Sequence, residues 1–315
     1  RSSDLLEEQG YVKLDQGAKC MFIPDKPIPL MVQKSDGGFN YDTTDLAAAR
    51  YRLCELKADR LIYITDVGQY PHFELIFEAA KIIGWHKPPQ TRMEHMGFGL
   101  VTDKNGQKFK TRSGDTVKLV DLLDEAKQRA ANQLKARVND SKEGQQTKLT
   151  EDEIDEAAER IGMAAIKYFD LRQNRISNYK FDYDKMLDPK GNTAVYLLYS
   201  YARVCSIINK SELKEEDFQK ILEKGGFKIT HPHERFLAMS LLRFPEVIDT
   251  VVDELAIHKL CDYIYDISVK IAEGYKKYRI NDDPNKETRV LLFEAIRRVM
   301  QKAFWMVGIK PLEKI

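Results

Sequence analysis

Leu61-Ile-Tyr-Ile-Thr65 is the stretch that decides the fold, because a short apolar run rich in β-branched residues predicts a buried strand. A helix is predicted next from Pro71 to Gly84, since proline favours the first turn of a helix and glycine follows its end. Another strand is predicted from Met93 to Thr102, ending at Asp103-Lys-Asn-Gly106. This order predicts a parallel sheet with crossover helices.

The same alternation extends toward the start of the chain. Two short strands are predicted at Tyr11-Val-Lys-Leu14 and Cys20-Met-Phe-Ile23, followed by a third from Pro29 to Gln33. A helix is predicted from Thr43 to Lys57, entered through Asp42. The first part of the chain is therefore predicted to be α/β.

Helical patterns replace strand patterns after Thr116. The polar stretch Asn139-Asp-Ser-Lys-Glu-Gly-Gln-Gln-Thr147 predicts a linker or long turn. We therefore predict an α/β domain over residues 1–146 and an all-α domain over residues 147–315. Helices are predicted at 117–136, 150–169, 192–209, 214–223, 232–242, 245–278, with a break near His258, and 284–307.

The composition of the 315 residues is typical of a soluble protein, with 43% hydrophobic and 31% charged residues. No apolar run approaches the ~20 residues that a membrane span needs. The four cysteines are scattered without a CxxC pair, which fits a reduced cytosolic compartment and predicts neither a zinc site nor a disulfide framework. The net charge of +1 gives no bulk attraction to nucleic acid. Because Arg1-Ser-Ser-Asp4 lacks an initiator Met, we expect a fragment.

A basic loop follows the predicted sheet at Lys108-Phe-Lys-Thr-Arg-Ser-Gly114. Its cations Lys108, Lys110 and Arg112 alternate with small polar residues, a pattern suited to binding a polyphosphate. The alternative is an exposed lysine-rich hairpin. The chain has no GxGxxG and no GxxxxGK[ST], which argues against a Rossmann dehydrogenase or a P-loop enzyme.

Tyr41, Asp45 and Gln69 are candidates for binding a cation. Tyr41 and Asp45 lie four residues apart where a helix begins, and Gln69 follows the carboxyl end of a predicted strand, where open α/β sheets bind ligands. Asp45 could accept an ion pair from a guanidinium, with Tyr41 packing nearby. Two alternatives remain open: Asp45 could complete a capping box with Asp42, and Asp66 to Gln69 could be a simple turn.

His72 and His95 are candidate polar groups near a nucleotide, although a lone histidine is more often a satisfied structural residue. Gly97 and Gly99 flank Phe98 on the strand before the basic loop. Glycines there would let a flat ring approach the backbone closely, and they would equally mark a β-bulge.

An aromatic stripe is predicted in the helical domain. Tyr196, Tyr199 and Arg203 follow i, i+3 and i+7 spacing, which places them on one helix face, and Tyr275 lies in another aromatic and basic cluster. One interpretation is a core stripe for the first set and a solvated face for the second. The other is a platform on which unpaired bases stack, with Arg203 near phosphate.

Taken together, these residues resemble the cytosolic type of arginyl-tRNA synthetase, a class I aminoacyl-tRNA synthetase. The resemblance runs in order along essentially the whole chain. Its motifs are Ser35 to Ala49, Tyr63-Ile-Thr-Asp-Val-Gly-Gln69, His72-Phe73, Gly97-Phe-Gly99, Lys108 to Gly114, Asn174-Arg175, Gly191-Asn-Thr-Ala-Val-Tyr-Leu-Leu-Tyr199 and Gly308-Ile-Lys-Pro-Leu-Glu-Lys314.

The resemblance implies a Rossmann-like, HUP-type nucleotide-binding half-domain followed by an all-α anticodon-binding bundle. It implies that Tyr41, Asp45 and Gln69 bind the arginine side chain. The segment from Lys108 to Gly114 matches the KMSKS loop, with Arg112 at the second lysine, and Lys108, Lys110 and Arg112 would act in catalysis. The resemblance further implies an anticodon-binding role for the helical domain, in which Glu294-Ala-Ile-Arg297 is similar to the DALR motif.

Two further groups of residues are expected to contact substrates. His95, Gly97, Phe98, Thr111 and Ser113 are expected to bind ATP. Tyr196, Tyr199, Arg203 and Tyr275 are expected to contact the tRNA anticodon.

The HIGH motif, which the family places upstream, does not occur in this sequence. The chain is therefore expected to be the C-terminal part of an arginine–tRNA ligase. Its substrates would be L-arginine, ATP accompanied by Mg²⁺, and tRNA(Arg), in the cytoplasm, with no dedicated protein metal site. The missing N-terminal catalytic half would come from the same gene product or from a companion chain. The alternative from another class is a catalytically silent tRNA-binding fragment or scaffold module.

Overall fold

The computed structural model describes residues 2–103, 105–107, 118–140, 150–225, 228–277 and 280–315. The chain divides into two units, Arg1–Leu100 and Val101–Ile315. Among the described residues, no helix is both long enough and apolar enough to cross a membrane. The predicted boundary between residues 146 and 147 falls outside the described part and stays a prediction.

The first unit opens with a short helix and an antiparallel sheet. α1 is Ser2–Glu8, and the strands are β1 (Lys13–Asp15), β2 (Ala18–Met21) and β3 (Leu30–Gln33), paired in the order β1-β2-β3. Gln16 and Gly17 both have positive φ, at 46° and 81°, as a tight hairpin turn requires. The predicted strands are confirmed, but β3, which the strand–helix alternation placed in a parallel sheet, pairs antiparallel with β2 instead.

The predicted strand–helix–strand unit follows and is confirmed. It consists of β4 (Arg60–Asp66), α3 (Tyr70–Ile82) and β5 (Arg92–Phe98), with β4 and β5 paired in parallel. α3 buries Phe73 and Ile76 in one cluster with Leu61 and Tyr63 of β4.

The helix that precedes β4 is α2 (Tyr41–Arg50), which continues as a π-helical segment, Tyr51–Glu55. In that segment the backbone N–H of Leu56 donates to the carbonyl of Tyr51 at 3.0 Å. The hydroxyl of Thr43 donates to the carbonyl oxygen of Val32 at 2.7 Å, which fixes the first turn of α2 against β3.

The second unit is almost entirely helical. Its first described residues form β6 (Val101–Thr102), which pairs in parallel with β7 (Tyr179–Lys180), a two-residue strand that the sequence did not predict. The helices are α4 (Leu119–Asp140), α5 (Glu151–Leu171), α6 (Tyr183–Met186), α7 (Ala194–Ser211), α8 (Glu215–Glu223), α9 (Pro232–Leu242), α10 (Phe244–Glu254), α11 (His258–Lys277) and α12 (Lys286–Met306).

The predicted break near His258 is confirmed, because α10 ends at Leu255 in the left-handed region, with φ 53°. α4 and α5 pack closely, since a Cβ at Gly162 would lie only 2.7 Å from the backbone nitrogen of Lys127. α7 lies in the core, where Leu197, Leu198 and Tyr201 are fully buried.

A buried ionic network joins α9 to α12. Nε of Arg289 donates to Oε1 of Glu234 at 2.7 Å, and Nη1 of Arg289 lies 2.6 Å from Oδ2 of Asp283. Glu234 also accepts hydrogen bonds from the backbone N–H groups of Thr230 and His231, at 2.7 and 3.0 Å. Burial alone would raise the pKa of Glu234, but these hydrogen bonds outweigh it and hold the pKa below its usual range.

Candidate functional site

The first turn of α2 presents the residues predicted to bind a cation. The N-cap of α2 is Asn40, whose side-chain oxygen accepts from the backbone N–H of Thr43 at 3.3 Å. Asp42 is therefore the second helical residue and Asp45 the fifth, so the capping-box interpretation of Asp45 is wrong. Asp45 is free of a capping role.

Asp45 is instead held by a histidine from α3. Nε2 of His72 lies 2.8 Å from Oδ2 of Asp45, and Nδ1 of the same ring lies 3.1 Å from Oδ1 of Asp42. The second oxygen of Asp42 accepts from the backbone N–H of Met31 at 3.2 Å. These contacts join α2 to α3 and to β3. We refer to Asp42, Asp45 and His72 as the acid–histidine cluster.

Tyr41 and Gln69 lie at exposed positions on the same two elements. The side chain of Tyr41 is 84% exposed at the first residue of α2, four residues before Asp45. Gln69 ends the 3₁₀ turn Val67–Gln69, three residues before His72. The carboxylate of Asp66 caps that turn by accepting from the backbone N–H of Gly68 at 2.8 Å. The turn interpretation of this segment thus holds for Asp66, and Gln69 remains exposed at the carboxyl end of β4.

His95 has defined structural partners. Its Nε2 lies 2.7 Å from Oγ1 of Thr65, and its ring stacks on Phe73 with a centroid separation of 5.2 Å and an interplanar angle of 15°. These contacts fix the ring at the middle of β5. The expected contact of His95 with a nucleotide stays a prediction.

Gly97 is closely packed and does not form a bulge. A Cβ at Gly97 would lie 3.1 Å from Cα of Val67, tighter than most real Cβ contacts, so a side chain there would require a small shift of the turn. The register of β4 with β5 runs unbroken through the pair Thr65 and Gly97, so the bulge interpretation is wrong. The backbone of the 3₁₀ turn therefore packs directly on β5, beside Phe98, whose side chain is 45% exposed.

The basic loop lies outside the described residues, and with it the candidates Lys108, Lys110, Thr111, Arg112 and Ser113. The segment just before it is well defined. The carboxylate of Asp103 accepts from the backbone N–H groups of Asn105 and Gln107 at 2.9 and 2.8 Å. Just before that turn, β6 pairs with β7, which fixes the strand that leads into the loop.

In the second unit, Arg203 of α7 lies against Tyr275 of α11, a contact that joins the two clusters treated separately in the sequence analysis. The guanidinium carbon of Arg203 lies 5.4 Å from the ring centroid of Tyr275. Arg203 is exposed, and the side chain of Tyr275 is 51% exposed. This pair is a surface feature, which fits both a stacking platform and the solvated face that was the alternative for Tyr275, and excludes a core position for Arg203.

Tyr196 and Tyr199 are half-buried neighbours of that pair on α7. Tyr196 packs edge-to-face on Tyr265 of α11 at 5.8 Å, and burial raises the pKa of its hydroxyl. The guanidinium of Arg137, from α4, lies over the ring of Tyr199 at 4.3 Å. The core interpretation thus holds in part, because Tyr196 and Tyr199 are partly buried and pack against the hydrophobic core. We refer to Tyr196, Tyr199, Arg203 and Tyr275 as the α7–α11 aromatic cluster.

The motif Glu294-Ala-Ile-Arg297 has a structural role in α12. The buried carboxylate of Glu294 accepts hydrogen bonds at 2.7 Å from Arg297 and from Arg298. Burial alone would raise the pKa of Glu294, but the two guanidinium groups outweigh it and lower that pKa. Within the motif, Glu294 and Arg297 are thus paired to each other on α12.

Sequence reasoning missed the contact of His72 with Asp42 and Asp45, and the contact of Arg137 with Tyr199. Nothing in the sequence pairs His72 with Asp42 and Asp45, because they lie on different helices. Nothing in the sequence pairs Arg137 with Tyr199, since α4 and α7 are distant in sequence. Within the described ranges, no three His, Cys, Asp or Glu side chains are grouped so as to hold a metal ion.

Comparison with known families gives two matches that follow one another along the chain. The family described as tRNA synthetases class I (R), catalytic domain, matches residues 2–183. The family described as DALR anticodon binding domain matches residues 197–315.

Curated relatives support the same assignment. The cytoplasmic arginine–tRNA ligase of Cricetulus griseus is 44% identical over 98% of this chain and 47% of the relative. The chloroplastic/mitochondrial arginine–tRNA ligase of Arabidopsis thaliana is 45% identical over the same shares, 98% and 47%. The chain thus spans about half the length of the curated relatives that it matches.

A solved structure of arginyl-tRNA synthetase from Plasmodium falciparum superposes with a TM-score of 0.84 and 35% identity, covering 99% of this chain and 51% of that one. The fold of this chain is therefore similar to an experimentally determined one.

Proposed function

Because this chain belongs to the class I arginyl-tRNA synthetases, we propose that it forms the C-terminal part of an arginine–tRNA ligase. In the proposed reaction, a carboxylate oxygen of arginine attacks the α-phosphorus of ATP and pyrophosphate leaves. The arginyl group then passes to the terminal ribose of tRNA(Arg). The observation that carries the proposal is the order of the two matched families, a catalytic domain followed by an anticodon-binding domain in one chain.

Recognition of the arginine side chain is assigned to Asp45, Tyr41 and Gln69. Asn40 caps α2, so Asp45 has no capping role, and its contact with His72 is made through Oδ2. The other oxygen of Asp45, Oδ1, can therefore accept from a guanidinium. An acceptor of this kind rejects neutral analogues, because they leave its charge without a partner.

ATP is assigned to the carboxyl end of β5 and to the basic loop. His95, Gly97, Phe98, Thr111 and Ser113 would bind the nucleotide, and Lys108, Lys110 and Arg112 would stabilise negative charge on the phosphates in the transition state. Catalysis of this kind requires alignment of two substrates and charge stabilisation, without a protein nucleophile. Mg²⁺ would arrive with ATP.

tRNA binding is assigned to the α7–α11 aromatic cluster. Anticodon bases are unpaired, so they can stack on exposed rings while nearby cations contact phosphate. Tyr275 and Arg203 provide one such pair at the surface. We propose a cytoplasmic location, in keeping with the name of the Cricetulus griseus relative; the Arabidopsis thaliana relative is named chloroplastic/mitochondrial.

The experiment that tests the proposal is ATP–pyrophosphate exchange by a protein of the relatives' full length that contains this chain. We expect exchange with arginine, little with other amino acids, and transfer of arginine to tRNA(Arg). Exchange that depends on a different amino acid would contradict the proposal. The chain alone should be assayed in parallel. If catalysis requires the N-terminal half, this chain should bind tRNA but show no ATP–pyrophosphate exchange. The silent-fragment alternative makes the same prediction for the chain alone.

A further inference from the structure

The acid–histidine cluster has a geometry that the recognition of arginine does not by itself explain. His72 lies between two carboxylates of α2, with Nε2 2.8 Å from Asp45 and Nδ1 3.1 Å from Asp42. The side chains of His72, Asp42 and Asp45 are only 24%, 24% and 32% exposed, so water competes weakly for these contacts.

The chemistry of the ring restricts what the cluster can do. Both nitrogens of an imidazole can donate at once only when both carry a proton. The contact from Nε2 to Asp45, at 2.8 Å, is the shorter of the two, so the ring holds Asp45 through this nitrogen.

The bond from Nε2 is made to Oδ2 of Asp45, which leaves Oδ1 as the oxygen that can face a ligand. Asp42 is committed elsewhere, because its second oxygen accepts from the backbone N–H of Met31. The ring of His72 is itself restrained, since it packs edge-to-face on Phe73 with centroids 5.0 Å apart. The rotamer of Asp45 is therefore set by a side chain that is itself fixed.

We propose that His72 is a positioning residue of the amino-acid site, which holds Asp45 through Nε2 so that its free oxygen is oriented toward the guanidinium of the substrate before binding. The inference rests on the proposed function, in which Asp45 accepts the guanidinium. Its physical basis is preorganisation: a carboxylate that is already ordered loses less side-chain entropy when the ligand binds. The role of Asp42 is to orient the ring from its other nitrogen.

The two nitrogens can be separated by two substitutions. The amide nitrogen of Gln reaches about as far as Nε2 of histidine, and that of Asn about as far as Nδ1. His72→Gln therefore keeps a donor for Asp45 and loses the one for Asp42, whereas His72→Asn does the reverse. A purely structural tie between α2 and α3 would be weakened similarly by both changes.

The assay is ATP–pyrophosphate exchange by the full-length enzyme. We expect His72→Asn to raise the KM for arginine about 3- to 10-fold, the cost of ordering one side chain on binding. The kcat and the KM for ATP should stay near the wild-type values, because the substitution weakens the binding of arginine equally in the ground state and in the transition state. His72→Gln should keep a KM for arginine close to wild type. His86→Gln, a histidine of the same unit that bonds the carbonyl oxygen of Thr91, is the matched control and should change neither KM.

Equal increases in KM for His72→Asn and His72→Gln, with matching losses in melting temperature, would overturn the proposal and leave His72 a structural tie. An unchanged KM in both variants would overturn it as well. Asp45→Asn separates this failure from failure of the proposed function. If Asp45→Asn also leaves the KM for arginine unchanged, the assignment of Asp45 is wrong. If it raises the KM, adding His72→Asn to it should cause no further increase.

Discussion

Replacing Tyr275 with alanine should weaken tRNA binding while leaving the fold nearly intact. Half of this side chain is exposed, at 51%, and its described ring partner is the exposed guanidinium of Arg203. Removing a stacking ring costs about 1–3 kcal/mol per base, which corresponds to about a 5- to 150-fold increase in Kd. The same truncation at Tyr201, which is fully buried on α7, should instead cost about 3–5 kcal/mol of folding stability.

The assay pairs tRNA(Arg) binding with thermal unfolding at one fixed salt concentration, because ionic strength changes every phosphate contact. Phe236→Ala is the control, since Phe236 is an exposed aromatic residue of α9 outside the cluster. Weak binding at a near-normal Tm in Tyr275→Ala, with Phe236→Ala unchanged, supports the platform. Unchanged binding in Tyr275→Ala, or an equal loss in Phe236→Ala, would refute the reasoning.

Four further outcomes follow from the proposed site and from the described contacts. Arg203→Gln should flatten the dependence of log Kd for tRNA on log salt by about one unit if Arg203 contacts a phosphate, and an unchanged slope would exclude that contact. Lys110→Ala should lower kcat about 10²-fold or more with a smaller change in the KM for ATP, whereas a raised KM alone would make the loop a docking element. Arg289→Met leaves the buried carboxylate of Glu234 without its guanidinium partner, so the free energy of unfolding in urea should fall by about 3–5 kcal/mol. Folding lowers the pKa of Glu234, so its ionised carboxylate stabilises the fold. This stabilisation is fully present above the unfolded-state pKa, about 4.3, and is lost as the pH falls through the folded-state pKa. In Glu234→Gln, the free energy of unfolding should therefore lose this part of its decrease at acid pH.

Local patterns in the sequence predicted most of the secondary structure. The strand at Leu61 to Thr65 and the helix after Pro71 are confirmed because each depends on neighbouring residues: an apolar β-branched run in one case, a proline in the first turn in the other. The break near His258 is also confirmed. Strand direction was less accessible, because the antiparallel pairing of β1, β2 and β3 is set by a turn and by non-local contacts.

The candidate site shows a similar limit. Asn40 and Asp42 are both good N-cap residues, so the sequence did not distinguish them, and the helix begins two residues earlier than a cap at Asp42 would allow. The partner of Asp45 could not be deduced either, since His72 lies on another helix. Residue types identified Tyr41, Asp45 and Gln69 as candidates; only tertiary packing revealed what orients Asp45.

The most direct test of the account is the specificity constant for arginine of Asp45→Asn in the full-length enzyme. Loss of a charge-assisted pair of about 2 kcal/mol or more should lower kcat/KM for arginine about 30-fold or more. The KM for ATP should barely change, because Asp45 is assigned to the amino acid alone. An Asp45→Asn enzyme with an unchanged kcat/KM for arginine would contradict the account.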